Sequence, residues 1–307
     1  MDFEEYLVEL AKPATPLKAS GLARLSDMTA EQARQLREVW PRLELQRRRK
    51  LLEQMEELAE DNVDLNFDAV FLQALEDPEA EARLIAVRGL WEYEGADATD
   101  PLLQLAERDE SAKVRAEAAL ALGRFVLLSE HGRLRDRHFE RVEAGLRRLF
   151  EDEQQAEDVR ARALEAIGAH DSAWVRRAIG DAYESGVRRL KVSAVHAMGR
   201  SCEERWLPLV AKELGSEDAE VRYEAVTAAG AIGDESAVSH LAPLLRDEDI
   251  EVKQATIAAL GEIAGKQARD LLLELAEDPS PTVREAVAEA LAGVGFAQDP
   301  LSFRDRI

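Results

Sequence analysis

Apolar and polar positions along most of this chain alternate at helical spacing, and the alternation itself recurs. "EVKQATIAALGEIAG" (251–265) reads as one amphipathic helix; 31 residues earlier stands "EVRYEAVTAAGAIGD" and 31 residues later "TVREAVAEALAGVGF". With the first apolar residue of each Val-Arg-like pair as zero, the register residues are Ala82, Val114, Val159, Leu190, Val221, Val252 and Val283. The position after each is Arg or Lys: Arg83, Arg115, Arg160, Lys191, Arg222, Lys253 and Arg284. The seventh position after it is Gly89 or an alanine, and the ninth is glycine at Gly123, Gly168, Gly199, Gly230 and Gly261. Self-similarity at such a period marks a repeat protein.

Positions 0, 4, 5, 8 and 11 form one apolar stripe, as in Val221, Ala225, Val226, Ala229 and Ile232. Between these helices lie second apolar stretches, such as "AVSHLAPLL" (237–245) and "ARDLLLELA" (268–276). Each unit is therefore two helices whose apolar faces need a neighbouring unit to cover them. The expected fold is all-α, an α-solenoid of about seven two-helix repeats over 66–307, with 1–65 as a helical N-terminal cap and linker. In that cap "KPATPLKAS" (12–20) reads as extended linker, Thr29 with Gln32 as a capping box, and two helices follow at about 30–39 and 42–60. An insertion around 127–145 interrupts the period. Part of it reads as a helix near 137–150, with Val142, Leu146 and Leu149 as its stripe, and Ser129–Arg135 as a projecting loop.

The order Asp, then Val-Arg five and six residues on, then Ala and Leu-Gly, resembles HEAT repeats, and more narrowly the short bacterial HEAT-like repeats also found in phycobilin lyases. The aspartate stands at Asp77, Asp109, Asp247 and Asp278, and a family-typical proline at Pro101 and Pro208. The resemblance covers about 66–295. It implies a ladder of Asp and Arg side chains along the stack, with the Val-Arg helices lining the concave face. It implies little about function, since such proteins mainly supply surfaces.

Composition narrows the function classes. Four good helix formers (Ala, Leu, Glu, Arg) dominate, and β-branched residues occur singly, without strand-like alternation. A net charge of −22 argues against binding the phosphates of nucleic acid and against an anionic membrane surface. Cys202 is the one cysteine, which excludes an internal disulfide framework and a multi-cysteine metal site. No apolar run reaches the roughly 18 residues of a membrane span, and the start "MDFEEYLVEL" lacks a signal-peptide pattern. A soluble cytoplasmic protein is expected.

Candidate chemistry is sparse. None of His131, His138, His170, His196 and His240 is followed by Glu, whereas HEAT-like deoxyhypusine hydroxylases use His-Glu pairs around a di-iron centre. His131 and His138 could share a face, but two histidines leave a metal site incomplete. His196 with Cys202 lacks an orienting third group, and Cys202, after a helix end, is expected to be half-buried. No catalytic residue, metal or cofactor is expected. The basic run "QRRRK" (46–50) spreads its charges around a helical turn and reads as a solvated face.

If Val-Arg helices line the concave surface, positions 2, 3, 6 and 10 should face solvent. They trace Arg88, Arg124, Arg162, His196, Arg200 and Tyr223, with Glu117, Glu165 and Glu224 among them. Arg and Tyr are favoured interface anchors, so a protein partner, with an acidic segment the best match, is expected there, and the 129–135 loop as a second contact. Ordinary alternation of exposed charges accounts for the same residues. The expected function is a non-catalytic protein-binding scaffold; an enzyme of the phycobilin-lyase-like or hydroxylase-like branch, or a nucleic-acid-binding solenoid, are the alternatives.

Overall fold

The computed structural model describes residues 2–13 and 15–298, with side chains described as far as 293; the end of the expected repeat region, 299–307, lies outside the described residues. Every regular element among the described residues is helical. Seven helix pairs follow the register of the sequence, and the chain divides into two compact units, one up to Ala166 and one from Ile167.

The first unit opens with Phe3–Leu10, a helix the repeat pattern does not reveal. Its signature is nonetheless local: Glu5 N–H donates to Asp2 Oδ1 (2.8 Å) and Asp2 N–H to Glu5 Oε2 (3.0 Å), a complete capping box. Ala30–Val39 begins at the expected Thr29–Gln32 box. The next helix, Leu45–Asp61, starts later than expected because Pro41 sits in a 3-10 turn, Trp40–Arg42, that ends before it. Three helix pairs follow: Asp68–Ala74 with Ala80–Gly89, Thr99–Arg108 with Ala112–Ala121, and Asp136–Glu151 with Glu157–Ile167, whose last residue belongs to the second unit. The largest fully buried side chains of this unit include Phe67, Phe71 and Phe125.

Most of the insertion is helical. Gly123–Glu130 ends at Gly132, whose φ of +68° is the left-handed turn glycine adopts readily, and Asp136–Glu151 buries Val142, Leu146 and Leu149. The expected loop at 129–135 is shorter, since Ser129 and Glu130 are helical, and its exposed turn, 131–135, is tied down. Leu134 is buried, Arg133 N–H donates to Leu128 O (2.7 Å), and the Arg133 guanidinium pairs with Glu94.

The second unit pairs Ala173–Glu184 with Arg188–Ser201, Leu207–Glu213 with Ala219–Ile232, Val238–Leu241 with Ile250–Ile263, and Gly265–Glu274 with Pro281–Gln298. The 237–245 stretch is only partly α-helical. Pro243, lacking an N–H to bond back along the helix, opens the 3-10 turn Ala242–Arg246. The second helices stack directly on one another. Their core is small and branched, with Val195, Ala225, Val226, Ile257 and Leu260 fully buried.

The recurring small residues now have a cause. A Cβ placed on Gly168 would stand 2.9 Å from Ala197 Cβ; one on Gly230 would stand 3.0 Å from Ala259 Cα, and one on Gly261 2.9 Å from Ala290 Cβ. The ninth-position glycine of one repeat thus receives the seventh-position alanine of the next, backbone close to backbone.

Candidate functional site

The side chains that could carry function divide into a ladder that holds the stack and a second, more exposed row. In the ladder, Arg83 Nε and Nη2 meet Asp109 at 2.6 and 2.9 Å, while Arg83 Nη1 donates to Asp77 O at 2.7 Å. Arg222 repeats this with Asp247 (2.9 and 2.8 Å) and the Ser216 carbonyl (2.9 Å). Lys253 Nζ lies 3.5 Å from Asp278. Each basic residue reaches the aspartate of the following repeat, and each aspartate also accepts the backbone N–H two residues on, as Asp247 does from Asp249 (2.9 Å). The forked guanidinium suits this bidentate role. Arg222 holds Asp247 below the usual carboxylate range, and Asp247 in turn raises the arginine.

Where the aspartate is missing, a substitute appears. Arg115 Nε donates to Gln155 Oε1 (3.2 Å). Lys191 Nζ lies 2.8 Å from Glu213, a buried carboxylate that also accepts from the Tyr183 hydroxyl. Burial, reinforced by that hydrogen bond, pushes the Tyr183 phenol up to about 12.

The basic run at 46–50 is solvated as expected at Gln46, Arg49 and Lys50, but its middle belongs to this ladder. Arg48 is 8% exposed, with Nε 2.9 Å from Asp77 Oδ2, and Trp40 Nε1 donates to the same oxygen at 2.7 Å. Arg47 Nε bonds the Leu10 carbonyl, and Arg49 pairs with Glu53 at 2.9 Å. Asp77, having no repeat before it, takes its arginine from the Leu45–Asp61 helix.

The second row contains the six residues expected at a partner site. Arg88 Nε stands 3.6 Å from Glu117, and His196 Nδ1 3.0 Å from Glu224. Both pairs join the sixth position of one repeat to the third of the next. Arg162 Nη1 donates to Glu165 within its own repeat at 2.6 Å. The carboxylates read as scattered in the sequence are therefore the partners of the anchors. Arg200 and Tyr223 are exposed, the latter at 40%. Arg124 differs: it is half-buried, its Nη1 donates to the Leu90 and Tyr93 carbonyls (2.8 Å to Tyr93), and burial lowers its pKa. Its side chain finishes a turn and does not stand free for a partner.

Nor do all second and third positions face solvent. Leu84, Ile85, Val192 and Ser193 are buried, whereas Tyr223 is open. In the first unit, Arg88 and Arg162 line one groove of about 490 Å³ with Lys113, Glu117, Glu81 and Asp158. His196, Arg200 and Tyr223 belong to the second unit.

The histidines are dispersed. His131 caps the Gly123–Glu130 helix, while His138 lies in the next, with Nδ1 3.3 Å from Thr99 Oγ1, so they do not share a helix face. Among the described residues no group of three or more His, Cys, Asp or Glu is placed to hold a metal ion. Cys202 is exposed, against the expected half-burial. It ends its helix in the left-handed conformation (φ +50°), which turns the side chain out of the stack. No helix among the described residues is long and apolar enough to cross a membrane.

Paired helices, a small-residue contact between repeats and an Arg–Asp ladder define an α-solenoid of two-helix repeats. The HEAT-repeat family model matches residues 69–168, 182–249 and 240–302, and the chain belongs to that family. Among solved structures it is similar to the complex of CpcE and CpcF of phycocyanin lyase from a Nostoc species, at 19% identity over 92% of this chain and 97% of that one, with a TM-score of 0.52. It is similar also to human deoxyhypusine hydroxylase, at 20% identity over 95% of this chain and 97% of that one, TM-score 0.38. A third likeness is to Escherichia coli YibA, at 16% identity over 80% of this chain and 96% of that one, TM-score 0.45. These likenesses concern the fold. No curated protein sequence matches the chain.

Proposed function

We propose that this HEAT-repeat chain is a non-catalytic binding scaffold, which receives a segment of a partner protein along the second helices of its first unit. The observation that carries the reading is the groove between Arg88 and Arg162, open across three successive repeats of the first unit. Arg88, Lys113 and Arg162 alternate there with Glu81, Glu117 and Asp158. An evenly mixed lining suits a segment carrying both signs of charge better than the purely acidic one expected from the arginines alone. The exposed Arg200 and Tyr223 offer anchors of the favoured types in the second unit. A protein that meets its partner in solution also fits a chain of net charge −22, which repels nucleic acid and anionic lipid.

The test is partner capture by the wild-type chain and by an Arg88→Glu, Arg162→Glu double variant whose fold is checked by circular dichroism. A partner held by the first and lost by the second supports the reading. Equal capture by both removes the groove from it. Capture by neither, together with turnover of a small molecule by the wild type, would replace the scaffold with an enzyme.

A further inference from the structure

The first repeat breaks the glycine rule, and the break faces solvent. Where five repeats have glycine at the ninth position, the Ala82 repeat has Trp91, 56% exposed. Val63 is 95% exposed, and the two side chains line one cavity of about 370 Å³ beside the Asp68–Ala74 helix. Phe67 and Phe71, each 1% exposed, form its apolar lining. Gly89 makes room for it: a Cβ there would run into the Phe71 ring. Leaving an indole and a valine in water forgoes roughly 25 cal/mol for each Å² of apolar surface.

The charge of this cavity is one-sided. Its charged lining residues are Glu60, Asp68 and Glu92, with no Lys or Arg among them. Asp68 is half-buried and accepts from Asn66 Nδ2 at 2.8 Å, and burial raises its pKa. The neighbouring Arg124 is committed to the Leu90 and Tyr93 carbonyls. A cation brought in from outside would restore what burial costs Asp68. The groove between Arg88 and Arg162, by contrast, balances its charges.

From this geometry we infer a second docking site: the Trp91 cavity binds a segment of a partner protein that inserts one bulky apolar side chain and sets a Lys or Arg against Asp68 and its neighbouring carboxylates. Apolar contact with Trp91, Val63 and the Phe71 ring supplies the anchor, and the three carboxylates select a basic neighbour over an acidic one.

The experiment is selection from a random 12-residue peptide library displayed against the full chain, followed by titration of the enriched peptides by fluorescence anisotropy. The expected peptides carry Lys or Arg within a few residues of a bulky apolar side chain. Trp91→Ala should weaken them about tenfold, the loss of one hot-spot anchor. Val63→Ala, at a position too exposed to affect folding, should weaken them in the same direction. Asp68→Asn should reduce both the affinity and its salt dependence. Peptides that bind Trp91→Ala and Val63→Ala as tightly as wild type overturn the inference. So do enriched peptides that are acidic, or the absence of enrichment. Peptides lost only by the Arg88→Glu, Arg162→Glu variant overturn it while leaving the scaffold reading intact.

Discussion

Gly199 lies against Ala228 so closely that a Cβ on the glycine would stand 2.7 Å from the alanine Cα. The atom it would meet is backbone, so neither helix can yield by turning a side chain. Gly180 is also inside a helix but has nothing within 4 Å of the same hypothetical atom. Identical substitutions at the two sites should act in opposite directions. Gly199→Ala should destabilise by about 1–3 kcal/mol through overpacking. Gly180→Ala should stabilise by about 0.5–1 kcal/mol through helix propensity. Urea denaturation of both variants decides it, and destabilisation at neither site would remove the close contact as the reason for the glycine.

The Arg222–Asp247 rung predicts a pH dependence. Arg222 depresses the folded-state pKa of Asp247 below its unfolded value of about 3.9. The rung therefore contributes fully above that unfolded value, and the contribution is lost as pH falls through the folded pKa. Asp247→Asn should destabilise the protein near pH 7 and flatten the fall in stability below about pH 4. Equal slopes for the variant and wild type would show that the rung does not sense acid.

Cys202 occupies the left-handed helix end at φ +50°, and Gly233 fills the corresponding position one repeat later at φ +73°. A side chain in that conformation costs roughly 1–2 kcal/mol that glycine avoids. Cys202→Gly should raise thermal stability, and, because the thiol is exposed, its removal leaves no cavity. A lower melting temperature would show that the Sγ contact to the Gly199 carbonyl (3.4 Å) outweighs the backbone gain.

Arg88 and Arg124 should part company under substitution. Arg124→Ala takes the guanidinium from the Tyr93 carbonyl and leaves the Leu90 carbonyl with the Tyr93 N–H alone, and should cost about 1–3 kcal/mol. Arg88→Ala removes a half-exposed ion pair at 3.6 Å and should change stability by less than about 1 kcal/mol. Chemical denaturation separates the two; equal costs would mean that Arg124 is no more structural than Arg88.

The helix pairs were legible because their cause is periodic. A stripe, a basic position and two small positions recur together, and each reports a contact made once per repeat. The ladder was legible through its resemblance, but its substitutes were not. Gln155 and Glu213 lie off the aspartate position, and Arg48 reaches Asp77 from a helix outside the period. The exposed row was half legible. Helical spacing put Arg88 and Arg162 in one series, and both line one groove, but their pairing with Glu117 and Glu165 depends on where the next turn or the next repeat falls. Arg124 was misread because a guanidinium can fold back onto backbone carbonyls from a position that spacing alone assigns to solvent. The Phe3–Leu10 helix lies outside the repeat, and only the local Asp2–Glu5 cap announces it in the sequence.

In the second unit, from Arg188–Ser201 onward, each pair of neighbouring second helices is fastened at two places. Between Ala219–Ile232 and Ile250–Ile263, Arg222 reaches Asp247 near one end and Gly230 receives Ala259 near the other. Eight residues separate Arg222 from Gly230, about 12 Å along the helix. Two fixings that far apart resist sliding and fanning, and leave free mainly a small rocking about the line that joins them. Within such a stack, compliance is a property of the series, like that of a leaf spring, shared among the joints and concentrated at none.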